Sequence, residues 1–202
     1  MCIRDSFRAF RFRDFDICEL SLSSYLVKHA GGNCPYIAIP VFLSRAFRHT
    51  AMYVRKDRIR RPEDLKGKRI GVPEYQLTAN VWARSILADD HGVQPQDVTW
   101  VRGGIDQPGR AEKIELKLPD GVVMVNAPAD TTISDLLDRG DIDGFMAPRA
   151  PSGAARSNPA IGWLFDDPTA TAKDYYRRTG IFPIMHVPVS YTHLTLPTIL
   201  LV

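Results

Sequence analysis

The chain has 202 residues, of which 45% are hydrophobic and 24% charged, and its formal net charge is +3. Acids and bases are interspersed, so no basic stripe for nucleic acid forms, and no apolar run reaches the ~18 residues that a membrane span needs. None of the three cysteines lies in a C-x-x-C and no H-x-x-x-H occurs, which argues against a metal site or disulfide framework; no cofactor is expected.

The two ends read as one inverted DNA string. The opening "MCIRDS" back-translates as ATG TGT ATA AGA GAC AG, and the reverse complement, read in another frame, encodes the Val-Ser-Tyr-Thr-His found near the end. Residues 1–6 and 190–202 are therefore expected to be adapter-derived and are set aside from fold reasoning. On this expectation the natural protein is longer at both ends, and the apolar tail "LPTILLV" carries no membrane meaning.

In chain order, "FRAFRFR" reads as a helix with Phe inward and Arg outward rather than a nucleic-acid platform. Strand patterns follow at "DICELS", "YIAIPVF", "AMYV", "KRIGV", "VTWV", "VVMVN" and "DGFMA". Cys18 falls in the first of these as a small buried hydrophobe, and Cys34 in a Gly-Asn-Cys-Pro turn. "SLSSYLVKHAGG" is a helix with serine caps and Gly31 as its stop. "RPEDLKG" is a single turn, with Pro62 at its first position, Glu63 and Asp64 at its positive end and Gly67 ending it. "QLTANVWARSILADDHG" places Leu77, Val81, Trp82, Ser85 and Ile86 on an inward arc, with Asn80 and Arg84 off it and Gly92 as stop. "DTTISDLLDRG" repeats the design, with Asp130 or Thr131 as cap and Gly140 as stop. A last helix, "TATAKDYYRRTG", leads into the extended "IFPIMHVPV".

Alternating strands and helices predict an α/β protein with a largely parallel sheet. "HTAMYVRKDRI" and "GIFPIMHVPV" read as extended connections flanking a middle section with its own β-α-β series. The expected organisation is a first, incomplete lobe over 7–60 plus 181–189 and a second lobe over 61–180, with a ligand cleft between them.

The stretches "PEDLKGKRIGVPEY" and "LLDRGDIDGFMAPRAPS" resemble the second lobe of type II periplasmic-binding-protein folds. With "FDICELSLSSYL", "YIAIPVFLSRAFRHTAMYV", "GVPEYQLTANVW" and "TGIFPIMHVPV", the likeness extends over about 7–189 and is to the 4,5-dihydroxyphthalate decarboxylase family. The resemblance implies a two-lobed type II periplasmic-binding-protein-like fold, here truncated at both ends. It also implies decarboxylation of an aromatic acid without a cofactor. The first strand and its loop, and the final helices of the family, are absent from the stretch.

Five groups of residues carry candidate chemistry. In "GVPEYQLTANVW" a strand ends at a Gly-Val-Pro turn, and Glu74, Tyr75, Gln76 and Thr78 decorate the mouth of the next helix. Free N–H groups there suit a carboxylate, although Thr78 or Glu74 serves equally as a plain cap. A second mouth, "ELSLSSY", carries Glu19, Ser21, Ser23 and Ser24, more polar groups than capping one helix requires. "SRAFRHT" brings Arg45 and Arg48 beside His49. Two guanidiniums match a dianion, and a solvated turn with snorkelling arginines is the alternative. Arg149 and Ser152 follow the "DGFMA" strand, where open α/β sheets gather ligands. His186 lies in the extended return segment, either as a core residue or as a proton-exchanging group. His29 and His91 read as capping or surface residues, and the tryptophans as core. Catalytic roles are expected of His49, His186 and Glu19, and the remaining groups are expected to bind a small anionic aromatic carboxylate. The competing expectation is a solute-binding protein that closes on a small anion for a transporter.

Overall fold

The computed structural model describes residues 3–110, 114 and 116–192, with side chains from Arg8 onward. In chain order the elements are α1 (Ile3–Phe12), β1 (Ile17–Ser21), α2 (Leu22–Ala30), β2 (Tyr36–Ala38), β3 (Ser44–Arg45), β4 (Met52–Arg55), β5 (Arg69–Val72), α3 (Thr78–His91), β6 (Thr99–Arg102), β7 (Val123–Asn126), α4 (Ile133–Arg139), β8 (Gly144–Met146), α5 (Gly153–Ser157), β9 (Ile161–Trp163), α6 (Pro168–Thr179) and β10 (Ile184–Tyr191). Short 3-10 turns cover His49–Ala51, Pro62–Leu65 and Pro95–Asp97. The chain divides into two compact units, Met1–Ala46 with Ile184–Val202, and Phe47–Pro183.

The first unit is built on an antiparallel sheet of order β1-β10-β2, with β3 also pairing β10. Period-two alternation sorts its residues. Leu20, Val187 and Val189 point to one face and join Ala9, Tyr25 and Tyr36 in a core. Ile17 and Ile37 belong to the row of Ser190 on the opposite face, and each is 61% exposed. The Tyr36 hydroxyl donates to the Phe15 carbonyl at 3.1 Å, so the buried ring carries no unmet polar group.

The second unit holds a mixed sheet of order β7-β6-β5-β8-β4-β9. Strands β5, β6, β7 and β8 are mutually parallel; β4 runs antiparallel to both β8 and β9. Both faces are covered: adjacent residues Trp100 and Val101 of β6 are each 1% exposed yet belong to different core clusters. Helix α4 sits on one face because β5 carries Gly71 there; a Cβ at that position would lie 2.5 Å from Ile133 Cγ2. Helix α3 stops at Gly92, which adopts φ 62°.

The architecture is mixed α/β, as the patterning predicts, with several differences. The sheet of the second unit is largely parallel, over β7-β6-β5-β8 from its edge inward, whereas the sheet of the first unit is antiparallel. The segment 47–60 belongs to the second unit, not to the first lobe, because β4 forms its ladder with β8 and β9. The strand expected over "YIAIPVF" ends at Ala38, ahead of Pro40, which has no N–H to continue a ladder. The α4 cap is Thr132, whose hydroxyl accepts from Asp135 N at 3.0 Å, rather than Asp130 or Thr131. On α3 the buried arc runs through Ala79, Asn80, Ala83, Arg84, Ile86 and Leu87, while Val81 is exposed. Short β9 and α5 were not foreseen. Strand β10 runs past Val189 into the stretch expected to be adapter-derived, pairing Tyr191 with Tyr36, whose ring it meets edge-on at 5.4 Å. The rest of that stretch, 193–202, lies outside the described residues, as do the first two residues of the chain. Among the described residues no helix is long and apolar enough to cross a membrane.

Candidate functional site

The first unit gathers one group of candidates by strand register. Ser21 pairs with His186 and Glu19 with Pro188, while Ser44 faces His186 from the other side. Glu19 and His186 thus sit diagonally on one face of the sheet, within side-chain reach. Glu19 Oε1 and His186 Nδ1 are 2.9 Å apart, and each side chain is about a quarter exposed. The pair is sheltered enough to be oriented and open enough to exchange protons. Helix α2 begins at the end of β1. Ser21 occupies its N-cap position without a side-chain capping bond, and its hydroxyl lies 3.5 Å from that of Ser23. Ser21, Ser23 and Ser24 are all buried. Arg45, on β3, pairs with Ile184 in the ladder, and its guanidinium lies 5.4 Å from the Phe42 ring centre.

The second unit gathers another group, this time by strand direction. Because β5, β6 and β8 run parallel, the turns after Val72, Arg102 and Met146 emerge at one edge of the sheet. That edge carries Glu74, Tyr75, Gln76 and Thr78 after β5, and Arg149 and Ser152 after β8. Antiparallel β4 starts at the same edge, since Met52 pairs with Met146, which places Arg48 there too. Burial lowers the Arg48 guanidinium below its ordinary pKa.

At the mouth of α3 the polar residues are engaged inside the unit. The Glu74 side chain is fully buried. Its Oε1 accepts from Arg110 Nε at 2.9 Å and from Arg110 Nη2, and its Oε2 accepts from Gln76 Nε2 at 3.0 Å. Asn80 Nδ2 donates to the Glu74 carbonyl at 2.9 Å, and Arg84 Nη1 donates to the Tyr75 carbonyl at 2.8 Å. The Arg84 guanidinium also stacks 3.7 Å from the Tyr75 ring centre, and that ring meets Trp100 edge-on at 5.7 Å. Burial raises the Tyr75 hydroxyl pKa. Leu77 holds the N-cap position, so neither Glu74 nor Thr78 caps α3. The carboxylate present beside this mouth is the chain's own Glu74, which engages side chains and not the helix N–H groups. Buried and paired with Arg110, Glu74 is placed to hold its neighbours rather than to face outward.

The remaining candidates are placed differently from one another. Arg149 is an exposed side chain 3.9 Å from Asp106. The Ser152 amide donates to Ser134 Oγ at 3.1 Å. His49 was expected to handle protons, and its position does not suit that role. It is 1% exposed, tilted between the rings of Phe165 and Tyr175 at 5.4 and 5.5 Å, and among the described residues neither ring nitrogen has a hydrogen-bond partner. Burial pushes its pKa down to about 4, against the pull of Asp90. It is a core residue, held there because the 3-10 turn His49–Ala51 packs under α6 and α3. Among the described residues no cluster of His, Cys, Asp or Glu could hold a metal.

Sequence reasoning missed Arg110, Asn80 and Arg84. The last two occupy positions that a simple hydrophobic arc assigns to solvent. Arg110 lies in a loop far along the chain from Glu74, and no local pattern links them.

Comparison with known proteins places the chain in a clear neighbourhood. A family model described as NMT1/THI5 like matches residues 24–112. The chain is 62% identical over 181 residues to the 4,5-dihydroxyphthalate decarboxylase of Comamonas testosteroni, covering 89% of this chain and 55% of that protein. It is 59% identical over 172 residues to the enzyme of the same name from Pseudomonas putida, covering 85% of this chain and 67% of that protein. The chain therefore spans between about half and two thirds of these relatives. Among solved structures, the periplasmic aliphatic sulphonate binding protein SsuA from Escherichia coli superposes with a TM-score of 0.55 at 14% identity, over 94% of this chain and 49% of that one. Protein AF1704 from Archaeoglobus fulgidus gives 0.52 at 15% identity, over 97% and 57%. At that identity the likeness speaks to the fold alone.

Proposed function

Because the chain belongs to the 4,5-dihydroxyphthalate decarboxylase family, we propose that the whole protein removes one carboxylate, as CO2, from a 4,5-dihydroxyphthalate-like aromatic acid. The observation that carries the chemistry is the Glu19–His186 pair at 2.9 Å.

Direct loss of CO2 from the ring would leave an aryl carbanion, which is prohibitively basic. The hydroxyl para to the departing carboxylate opens an easier route. A base removes its proton and electron density moves into the ring. An acid then protonates the carbon that bears the carboxylate, giving a dienone. Cleavage of the carbon–carboxylate bond releases CO2, and its electron pair restores aromaticity as the ring oxygen regains a proton. The scheme needs a base at the para hydroxyl that works near neutral pH, an acid at the carbon bearing the departing carboxylate, and a polar clamp for the retained carboxylate.

His186 suits the first need. With Nδ1–H directed at Glu19, the neutral ring carries its lone pair on Nε2, and Glu19 steadies the imidazolium formed when Nε2 takes a proton. Ser21 and Ser23 at the mouth of α2, with Arg45, suit the polar clamp, while Ser24 is fully buried beside them. Within the second unit, Arg48, Arg149 and Ser152 remain separate candidates for binding an anion at the strand ends. The SsuA likeness is of fold and gives no comparable support to a transport role.

The test is CO2 release from 4,5-dihydroxyphthalate by the full-length protein in D2O. The dihydroxybenzoate product should carry one deuterium at the carbon that lost the carboxylate. His186→Asn should lower kcat by roughly 10²–10⁴-fold. A full-length protein that releases no CO2, or a His186→Asn variant that turns over normally, would end this reading.

A further inference from the structure

The α3 mouth holds a fully buried carboxylate and an arginine that is not fully buried, and the two differ in what they can reach. Both oxygens of Glu74 are engaged, Oε1 by Arg110 and Oε2 by Gln76. With no exposed surface, Glu74 cannot meet a ligand. The Arg110 side chain is 22% exposed. A guanidinium offers five N–H donors arranged as two forks. Arg110 turns its side fork, Nε and Nη2, to Glu74; the end fork, Nη1 and the second Nη2 hydrogen, points away from that carboxylate. The turn carrying Glu74 is fixed in its own right, since Asn80 holds the Glu74 carbonyl and Arg84 the Tyr75 carbonyl. The guanidinium is thus anchored on one edge by a rigid, desolvated anion and stands where the parallel strands of the unit end. Stability alone gives little reason to keep a buried ion pair of this kind, because desolvation cancels most of its attraction.

We propose that Arg110 binds a carboxylate of the substrate through its end fork, and that Glu74 is the positioning residue that aims it. The inference rests on the reading that the ligand is an aromatic carboxylate. It assigns the recognition to bidentate geometry, the arrangement in which arginine and carboxylate match best. It also gives Glu74 a function through Arg110.

The test uses the full-length protein and two readouts, steady-state decarboxylation of 4,5-dihydroxyphthalate and calorimetric binding of phthalate. Phthalate keeps both carboxylates but lacks the hydroxyls that the chemistry requires. Arg110→Lys retains a cation beside Glu74 and so preserves the fold, but removes the fork. It should raise KM and the phthalate Kd about 10-fold with kcat within about 2-fold. Arg110→Ala should weaken both by roughly 100-fold. Glu74→Gln should raise KM with little change in kcat, an effect that lowered stability alone does not produce. Wild-type KM and phthalate Kd in a folded Arg110→Lys variant would overturn the assignment. If the wild type released no CO2 yet bound phthalate in an Arg110-dependent way, the decarboxylase reading would fall and the Arg110 assignment would stand.

Discussion

Glu19 and His186 are brought together by the register of β1 against β10: Ser21 faces His186, Glu19 faces Pro188, and the diagonal neighbours meet at 2.9 Å. A slip of one residue would turn Glu19 onto the core face beside Val187 and Val189 and turn Leu20 out of it. The same alternation that buries Leu20 therefore presents the acid–base pair, so the fold and the proposed chemistry share one determinant.

Since Glu19 acts through His186, their substitutions should not add. Glu19→Gln alone is expected to lower kcat by roughly 10²-fold, and His186→Asn by more. The double variant should resemble His186→Asn within a factor of about three. Multiplicative losses in a steady-state double-mutant cycle would mean that the two residues act independently.

His49 predicts an acid response of stability. In the fold its pKa is lowered to about 4, and the ordinary value is 6.5. Between those values the unfolded chain binds the proton and the native state does not, so stability rises with pH. The contribution is fully present above about pH 6.5 and is lost as pH falls toward 4, amounting to about 3 kcal/mol. Asp90 pulls the other way; His91 and Arg178 reinforce the effect. His49→Phe keeps a ring between Phe165 and Tyr175 without a site to protonate. Thermal denaturation of the full-length protein at pH 7 and pH 4.5 should show a smaller difference in Tm for this variant than for wild type. An unchanged difference would place the acid sensitivity elsewhere.

Much of the architecture was legible in the sequence because it is set by short-range physics. The strands at Ile17–Ser21, Arg69–Val72 and Thr99–Arg102 alternate or run apolar between turn residues, and α3 and α4 end at the expected glycines, which take the left-handed conformation that side chains resist. What escaped depends on contacts between distant segments. That 47–60 joins the second unit follows from β4 pairing with strands about a hundred residues later. The burial of Arg84 depends on a carbonyl and two aromatic rings brought to it by the fold. The sequence marked the Glu74 turn as chemically unusual, yet the group that neutralises Glu74 is Arg110, which only the loop after β6 can deliver.

Arg84 should prove a large contributor to the stability of the second unit although it is charged. Arg84→Met preserves much of the aliphatic stem but leaves the Tyr75 carbonyl without that donor and removes the cation from the Tyr75 face. The expected loss is about 3 kcal/mol, the sum of an unmet buried acceptor and a desolvated cation–π contact. Urea denaturation that shows a loss below about 1 kcal/mol would mean that the stack is incidental.

Gly104 offers a way to test the loop that delivers Arg110 without touching either member of the ion pair. A Cβ at Gly104 would lie 1.7 Å from the Gln107 carbonyl oxygen, a backbone atom that can give way only if the whole turn opens. The turn is also tied at its base, because the Gly104 carbonyl accepts from Ile133 N at 2.8 Å at the start of α4. Gly104→Ala must therefore either break that tie or displace the segment leading to Arg110. The expected cost is about 3 kcal/mol. Gly109 is the matched control: it adopts φ 70° with open space where a Cβ would go, so Gly109→Ala carries backbone strain alone, about 1 kcal/mol. If Arg110 binds the substrate, Gly104→Ala should also raise KM several-fold at a temperature where the variant remains folded. Equal effects of the two substitutions on stability would show that the turn accommodates a side chain at Gly104, and the route from that turn to Arg110 would lose its mechanical basis.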